Sequence, residues 1–169
     1  LKKHPGYSEI FAKADGKVLH RGDIEKMLVN AIYIDFQKIY RFAPIAQRRF
    51  LDIYFHRYEI FVLKSCMRML FDHRNVTLDL HIFEEFFSKH SDIDLNKAAA
   101  SKTSDDFVAS LKGSIYYPSL SRLAVLNAPT LWDYEMAIDL FYFKWFWKKG
   151  DKTLDKNQKF HFKIAYGTK

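Results

Sequence analysis

Apolar residues recur along this chain at intervals of three and four. Between positions 24 and 32, Ile24, Met27, Leu28, Ala31 and Ile32 fall at i, i+3, i+4, i+7 and i+8, which marks one face of an α-helix. Asp23 stands just before them as a candidate N-cap, and Pro44 ends this helix or starts the next. From Ala46 to about Phe71 neither proline nor glycine intervenes. Phe50, Ile53, Tyr54 and Phe61 set apolar positions against the basic Lys64 and Arg68, which predicts a second long helix. A third is predicted over LWDYEMAIDLFYFKWFWKK, with Thr130 as cap, Asp133 in the first turn where a carboxylate suits the helix dipole, and Gly150 as stop. Shorter helices are expected over 4–19 and 78–90, from Thr103 or Ser104 to Gly113, near Pro118, and over NQKFHFKIAYGTK. DHRNVT (72–77) reads as a polar break, and SDIDLNKAAAS as a short helix or loop. No period-two alternation is sustained. The fold class is all-α.

One stretch breaks the amphipathic rule. In FYFKWFWKKG (141–150), six of the first seven residues are aromatic. Consecutive helical side chains lie about 100° apart, so these rings point all round the axis. Such a helix is central to a core, or part of it meets a partner. Base stacking would need the rings on one accessible face with basic residues interleaved, and only Lys144 interrupts the run. The core reading is favoured.

The two best helices overlay with a shift of 109 positions. Met27 meets Met136, Val29 meets Ile138, Tyr33 meets Tyr142 and Phe36 meets Trp145; Tyr7 falls on Tyr116 and Phe11 on Leu120. In each half a short helix with an early tyrosine precedes a long apolar one. This predicts two related helical modules, residues 1–75 and 76–169, joined by the long helix.

Composition adds the partner class. Of 169 residues, 27 are Lys or Arg and 20 are Asp or Glu, a net charge of +7, which favours an acidic partner. There is no apolar run of 18 residues and no signal-peptide pattern. The one cysteine, Cys66, rules out an internal disulfide and fits a reducing compartment. The chain starts at Leu1 in mid-pattern, as a cut piece of a longer protein would, and such a piece exposes apolar surface that the whole protein covers.

Catalytic patterns are absent. The seven histidines show no i, i+3 or i, i+4 pairing, and there is no HExxH, no GxxxxGK and no GxSxG. No metal or cofactor is expected. Cys66 lies in a helix that reads as buried, where a thiolate is not favoured. The carboxylate pairs Glu84–Glu85, Asp92–Asp94 and Asp105–Asp106 read as caps or as side chains pointing apart. What remains is a basic row on or near the long helix: Arg41, Arg48, Arg49, Arg57, Lys64 and Arg68. Arg57, Lys64 and Arg68 are seven and four apart and share a stripe. The row reads either as a solvated face or as a docking surface for carboxylates or phosphates, with Arg48, Arg49, Arg57, Lys64 and Arg68 as candidates. A basic helical nucleic-acid-binding domain is the alternative, and it predicts affinity that falls steeply with salt.

The order of motifs resembles one family. FLDIYFHRYEIFVLKSCMRML, through Phe50, Tyr54, Arg57, Tyr58, Glu59, Ile60, Leu63, Lys64 and Arg68, is similar to the long helix of the V-type ATPase central-stalk subunit, called C in bacteria and archaea and d in eukaryotes. FVASLKGSIYYPSL resembles its L-x-G-T-x-Y turn, with Ser114 in place of threonine. LWDYEMAIDLFYFKWFWK resembles its E-x-A-L-D-x-x-Y-F helix through Glu135, Ala137, Ile138, Asp139, Tyr142 and Phe143. LHRGDIEKML, FFSKHSDIDLNKAA and the final YGTK also resemble family segments. The resemblance implies an all-helical funnel of three related modules about a pseudo-threefold axis, of which this chain would carry two. It implies a non-catalytic coupling part of a V-type ATPase or ATP synthase. That part would be cytoplasmic and peripheral to the membrane, between the central-stalk shaft and the membrane rotor ring. No nucleic acid and no membrane span of its own are implied. The resemblance assigns no contact residue.

Overall fold

The computed structural model of the chain describes residues 7–12, 18–72, 84 and 87–166. Among them every regular element is a helix: α1 (Ser8–Ala12), α2 (Arg21–Phe42), α3 (Ile45–Phe71), α4 (Leu95–Ala99), α5 (Ser104–Ser110), α6 (Tyr117–Leu120) running into a 3₁₀ turn (Ser121–Val125), α7 (Leu131–Thr153) and α8 (Lys156–Tyr166). The helix expected over 78–90 and the break before it lie largely outside the described residues. Glu84 and Phe87 are helical, and the Ser88 amide donates to the Glu84 carbonyl at 2.9 Å.

Capping chemistry explains most of the boundaries. α2 starts three residues earlier than its apolar pattern indicates. His20 is the N-cap and Asp23 is the third helical residue, where its Oδ2 accepts from the His20 amide at 3.1 Å. α7 repeats the arrangement, with Asp133 Oδ2 accepting from the Thr130 amide at 2.8 Å and from its hydroxyl at 2.7 Å. Those bonds hold the exposed Asp133 carboxyl below its ordinary range. In α8, Asp155 and Gln158 cap reciprocally. Pro44 caps α3, and Ala43 before it is extended, as a residue preceding proline must be. Asp94 and Thr103 cap the two short helices that follow.

Gly150 does not stop the third long helix. α7 runs through it to Thr153. A Cβ at Gly150 would stand 2.8 Å from the Phe162 ring, so the glycine is there to let α8 pack closely. Gly113, at φ +95°, provides the left-handed turn after α5 that the sequence indicates.

The core has two parts. The larger joins Tyr33 and Phe36 of α2, Phe55, Leu63 and Met67 of α3, and Tyr134 and Ile138 of α7, with Phe87, Phe107 and Tyr116 filling between them. Burying one such side chain is worth about 1.5–3 kcal/mol. The smaller, Ile53, Phe146, Leu154 and Phe162, holds α8 against α3 and α7. The aromatic run therefore divides. Phe146 is buried and stacks on Phe162 at 4.6 Å, whereas Phe143 is 61% exposed.

The two short helices before the long ones keep the 109-residue register. Tyr7 accepts from the amides of Ile10 and Phe11, and Tyr116 from those of Ser119 and Leu120, all at 3.1–3.2 Å. Phe11 and Leu120 are both buried. The caps of the long helices, His20 and Thr130, instead stand one residue further apart. The apolar registers of α2 and α7 also differ: Tyr134, Ile138 and Phe146, buried in α7, fall opposite Glu25, Val29 and Gln37 at a shift of 109.

Candidate docking surface

α3 and α7 lie antiparallel, and charged residues at the same spacing face each other across them. Lys64 Nζ donates to Asp139 Oδ2 at 2.5 Å, and Arg68 Nε donates to Glu135 Oε1 at 2.5 Å. Four residues forward on α3 match four residues back on α7, so the pairs form a two-rung ladder along the seam. Asp139 and Arg68 are about half exposed, so each rung stabilises modestly and chiefly fixes register.

The five basic candidates separate into three environments. At about 100° per residue, Arg57, Lys64 and Arg68 fall within about 40° of one another on α3, and Arg48 lies on nearly the opposite side. Lys64 and Arg68 form the ladder. Arg48 closes the α2–α3 corner, donating from Nε to the Ala43 carbonyl at 2.9 Å and from an Nη to the Arg41 carbonyl at 3.1 Å. Its guanidinium also stands 5.4 Å from the Tyr40 ring. Arg49 is exposed, and so is Arg57, whose guanidinium lies 5.9 Å from the Tyr54 ring.

Beside the ladder is an apolar stripe that sequence reasoning missed. Trp132, Leu140 and Phe143 of α7 and Phe61 of α3 are all more than half exposed. The spacing of Trp132, Met136, Leu140 and Phe143 places them on one helical face. Arg57 of α3 and Lys144 and Lys148 of α7 are exposed as well. The signal was present in the chain: α7 is apolar around more of its circumference than one core contact can cover.

Among the described residues one acid is buried. Glu59 is 2% exposed, and its Oε2 accepts from the Tyr116 hydroxyl at 2.8 Å and from His56 Nδ1 at 2.5 Å. The His56 ring meets Trp145 edge-on at 4.4 Å. Burial, then the neighbouring carboxylate, raises the Tyr116 phenol well above its usual pKa, so it stays a donor. No substrate reaches an acid this enclosed, and its bonds tie α3 to the start of α6. Cys66 is likewise buried, and its thiol is pushed up to about 11, away from nucleophilic use. Among the described residues no group of three or more His, Cys, Asp or Glu could hold a metal, and no helix is long and apolar enough to cross a membrane.

The family model of the ATP synthase (C/AC39) subunit, a non-catalytic part of the V-type ATPase, matches residues 1–167. No curated protein and no solved structure gives a match.

Proposed function

Since the chain belongs to the ATP synthase (C/AC39) subunit family, we propose that it is a rotor coupling part that links the central-stalk shaft to the membrane ring during ion transport. The family match carries this reading, and the interior supports it. Residues quoted above for the resemblance bind one another here: Lys64 with Asp139, Arg68 with Glu135, and Glu59 with Tyr116. A part that transmits torque needs stiff helices locked in register, and these contacts lock α3 to its neighbours.

We further propose two modules, residues 1–75 and 76–169, within a funnel-shaped parent fold. The matched hydrogen bonds at Tyr7 and Tyr116 support a repeat between the halves, although the long helices that follow do not keep its register. Arg49 and Arg57 are the candidates best placed to meet an acidic partner, with Arg48, Lys64 and Arg68 holding the surface that presents them. The protein would work at the membrane surface as a peripheral member of the complex.

Purification of the protein from its source cells in mild detergent, followed by mass spectrometry, tests the role. Shaft and ring subunits should co-purify. Unrelated proteins in their place would overturn it, and nucleic acid in their place would overturn it in favour of the nucleic-acid-binding alternative.

A further inference from the structure

A cleft of about 370 Å³ opens between α8 and the α2–α3 corner, away from the ionic ladder. Its walls are Ile39, Phe50, Leu51 and Phe162, and Gln47, Gln158 and His161 complete the lining. Gln158 Nε2 donates to the Ala46 carbonyl at 2.9 Å, which pins α8 across the start of α3. The volume is at the small end of ligand pockets, about 300–1,000 Å³. The apolar surface continues outside it, however: Ile39 is 59% exposed, Phe42 one turn on is 80% exposed, and Ile45 is also exposed. That extent exceeds a small molecule and suits a protein segment.

Charge identifies the kind of segment. Residues 36–51 and 156–166, which carry the cleft, contain Lys38, Arg41, Arg48, Arg49, Lys156, Lys159 and Lys163 and no Asp or Glu. The whole chain has 27 basic and 20 acidic residues, so removing these seven leaves twenty of each sign. Asp35, Asp52 and Asp155 border the two segments, so the cleft's surroundings are net positive rather than free of acids. Lys38 and Lys159 lean towards Asp35 and Asp151 at 3.8 and 3.6 Å, and Arg48 is spent on backbone carbonyls. Arg41, Arg49, Lys156 and Lys163 are exposed and pair with no carboxylate among the described residues.

We infer that this cleft receives an acidic amphipathic helix of a partner protein. Two apolar side chains a helical turn apart fill it, and flanking carboxylates meet Arg41 and Arg49. A helix-in-groove contact is read through such i, i+3 or i+4 anchors. A bilayer offers no side chain to a concave site, and a nucleic acid offers charge without an apolar anchor. The inference stands whether or not the partner is the rotor shaft.

Photo-cross-linking in the source cells tests it. A photoreactive phenylalanine analogue replaces Phe42, with Val125, exposed elsewhere, as the control position. Mass spectrometry then identifies the adducts. We expect adducts from position 42 alone, on an acidic segment with apolar residues three or four apart. Their yield should fall about tenfold with Ile39→Asp and with Arg41→Glu/Arg49→Glu. All three residues are exposed, so the thermal midpoint should stay unchanged. Adducts to lipid, to nucleic acid or to a basic or patternless segment would overturn the inference. So would no adduct at all, or a yield indifferent to these substitutions.

Discussion

Removing the Tyr116 hydroxyl would leave Glu59 with one of its two donors and no route to water. Tyr116→Phe should therefore cost about 1–3 kcal/mol, the penalty for an under-satisfied buried polar group. Urea unfolding reads this as a lower midpoint at unchanged slope, and an unshifted midpoint would show that the cluster carries no stability. The pH dependence follows from Cys66 and Tyr116, whose folded pKa values lie above their unfolded ones. A group raised in this way contributes stability that is complete below its unfolded pKa and is lost as pH rises through the folded value. For Cys66 the window runs from 9.0 to about 11. Alkaline destabilisation should be smaller by up to about 3 kcal/mol in Cys66→Ala than in the parent chain at pH 11. Equal pH profiles for the two chains would remove the thiol from the account. Glu59 itself was visible in the sequence as part of a resemblance. Its partner was not, because nothing in a single sequence links positions 59 and 116.

Among the elements, α3 and α7 were the most legible, since long apolar runs free of proline fix a helix whatever surrounds it. Boundaries were less so. Asp23 reads as a cap, yet its carboxylate reaches back to His20 from inside the helix. Gly150 reads as a stop, yet it makes room for Phe162. In both cases a residue type common at helix ends serves a contact that a one-dimensional pattern does not contain. Gly150→Ala would gain about 1 kcal/mol of helix propensity but force α8 outward against packing worth about 1–3 kcal/mol. We expect a net loss in thermal midpoint, with Phe162→Leu in the same chain restoring part of it; a stabilised single variant would contradict the close approach. The ladder is testable at this scale too. Asp139→Ala and Lys64→Met should show a coupling of about 1 kcal/mol or less in a double-mutant cycle. Additive effects would mean that the rung is a coincidence of placement.

Over the whole molecule the basic balance reads as a partner preference from the first, but its location depends on α8 folding back across α3. Once that contact forms, the basic residues of two distant segments line one cleft that is net positive, with Asp35, Asp52 and Asp155 at its borders. The contact is also the weaker of the two packing centres. The larger core joins α2, α3 and α7 through many buried rings, whereas α8 is held by Leu154 and Phe162 against Ile53 and Phe146 and by the Gln158 bond to Ala46. Regions with few buried contacts open first, in cooperative units below the global unfolding free energy. Amide hydrogen exchange should therefore find α8 exchanging much faster than residues 59–67 of α3. Phe162→Ala removes a ring that stacks on Phe146 and meets Trp147 edge-on at 5.1 Å. The loss of about 3–5 kcal/mol should fall on this local unit, so that α8 detaches while α2, α3 and α7 keep their protection. If α3 loses protection in parallel, the two clusters are a single cooperative core. If α8 alone is released, the cleft can be dismantled without unfolding the body, and partner binding there becomes separable from the stiffness of the helices beneath it.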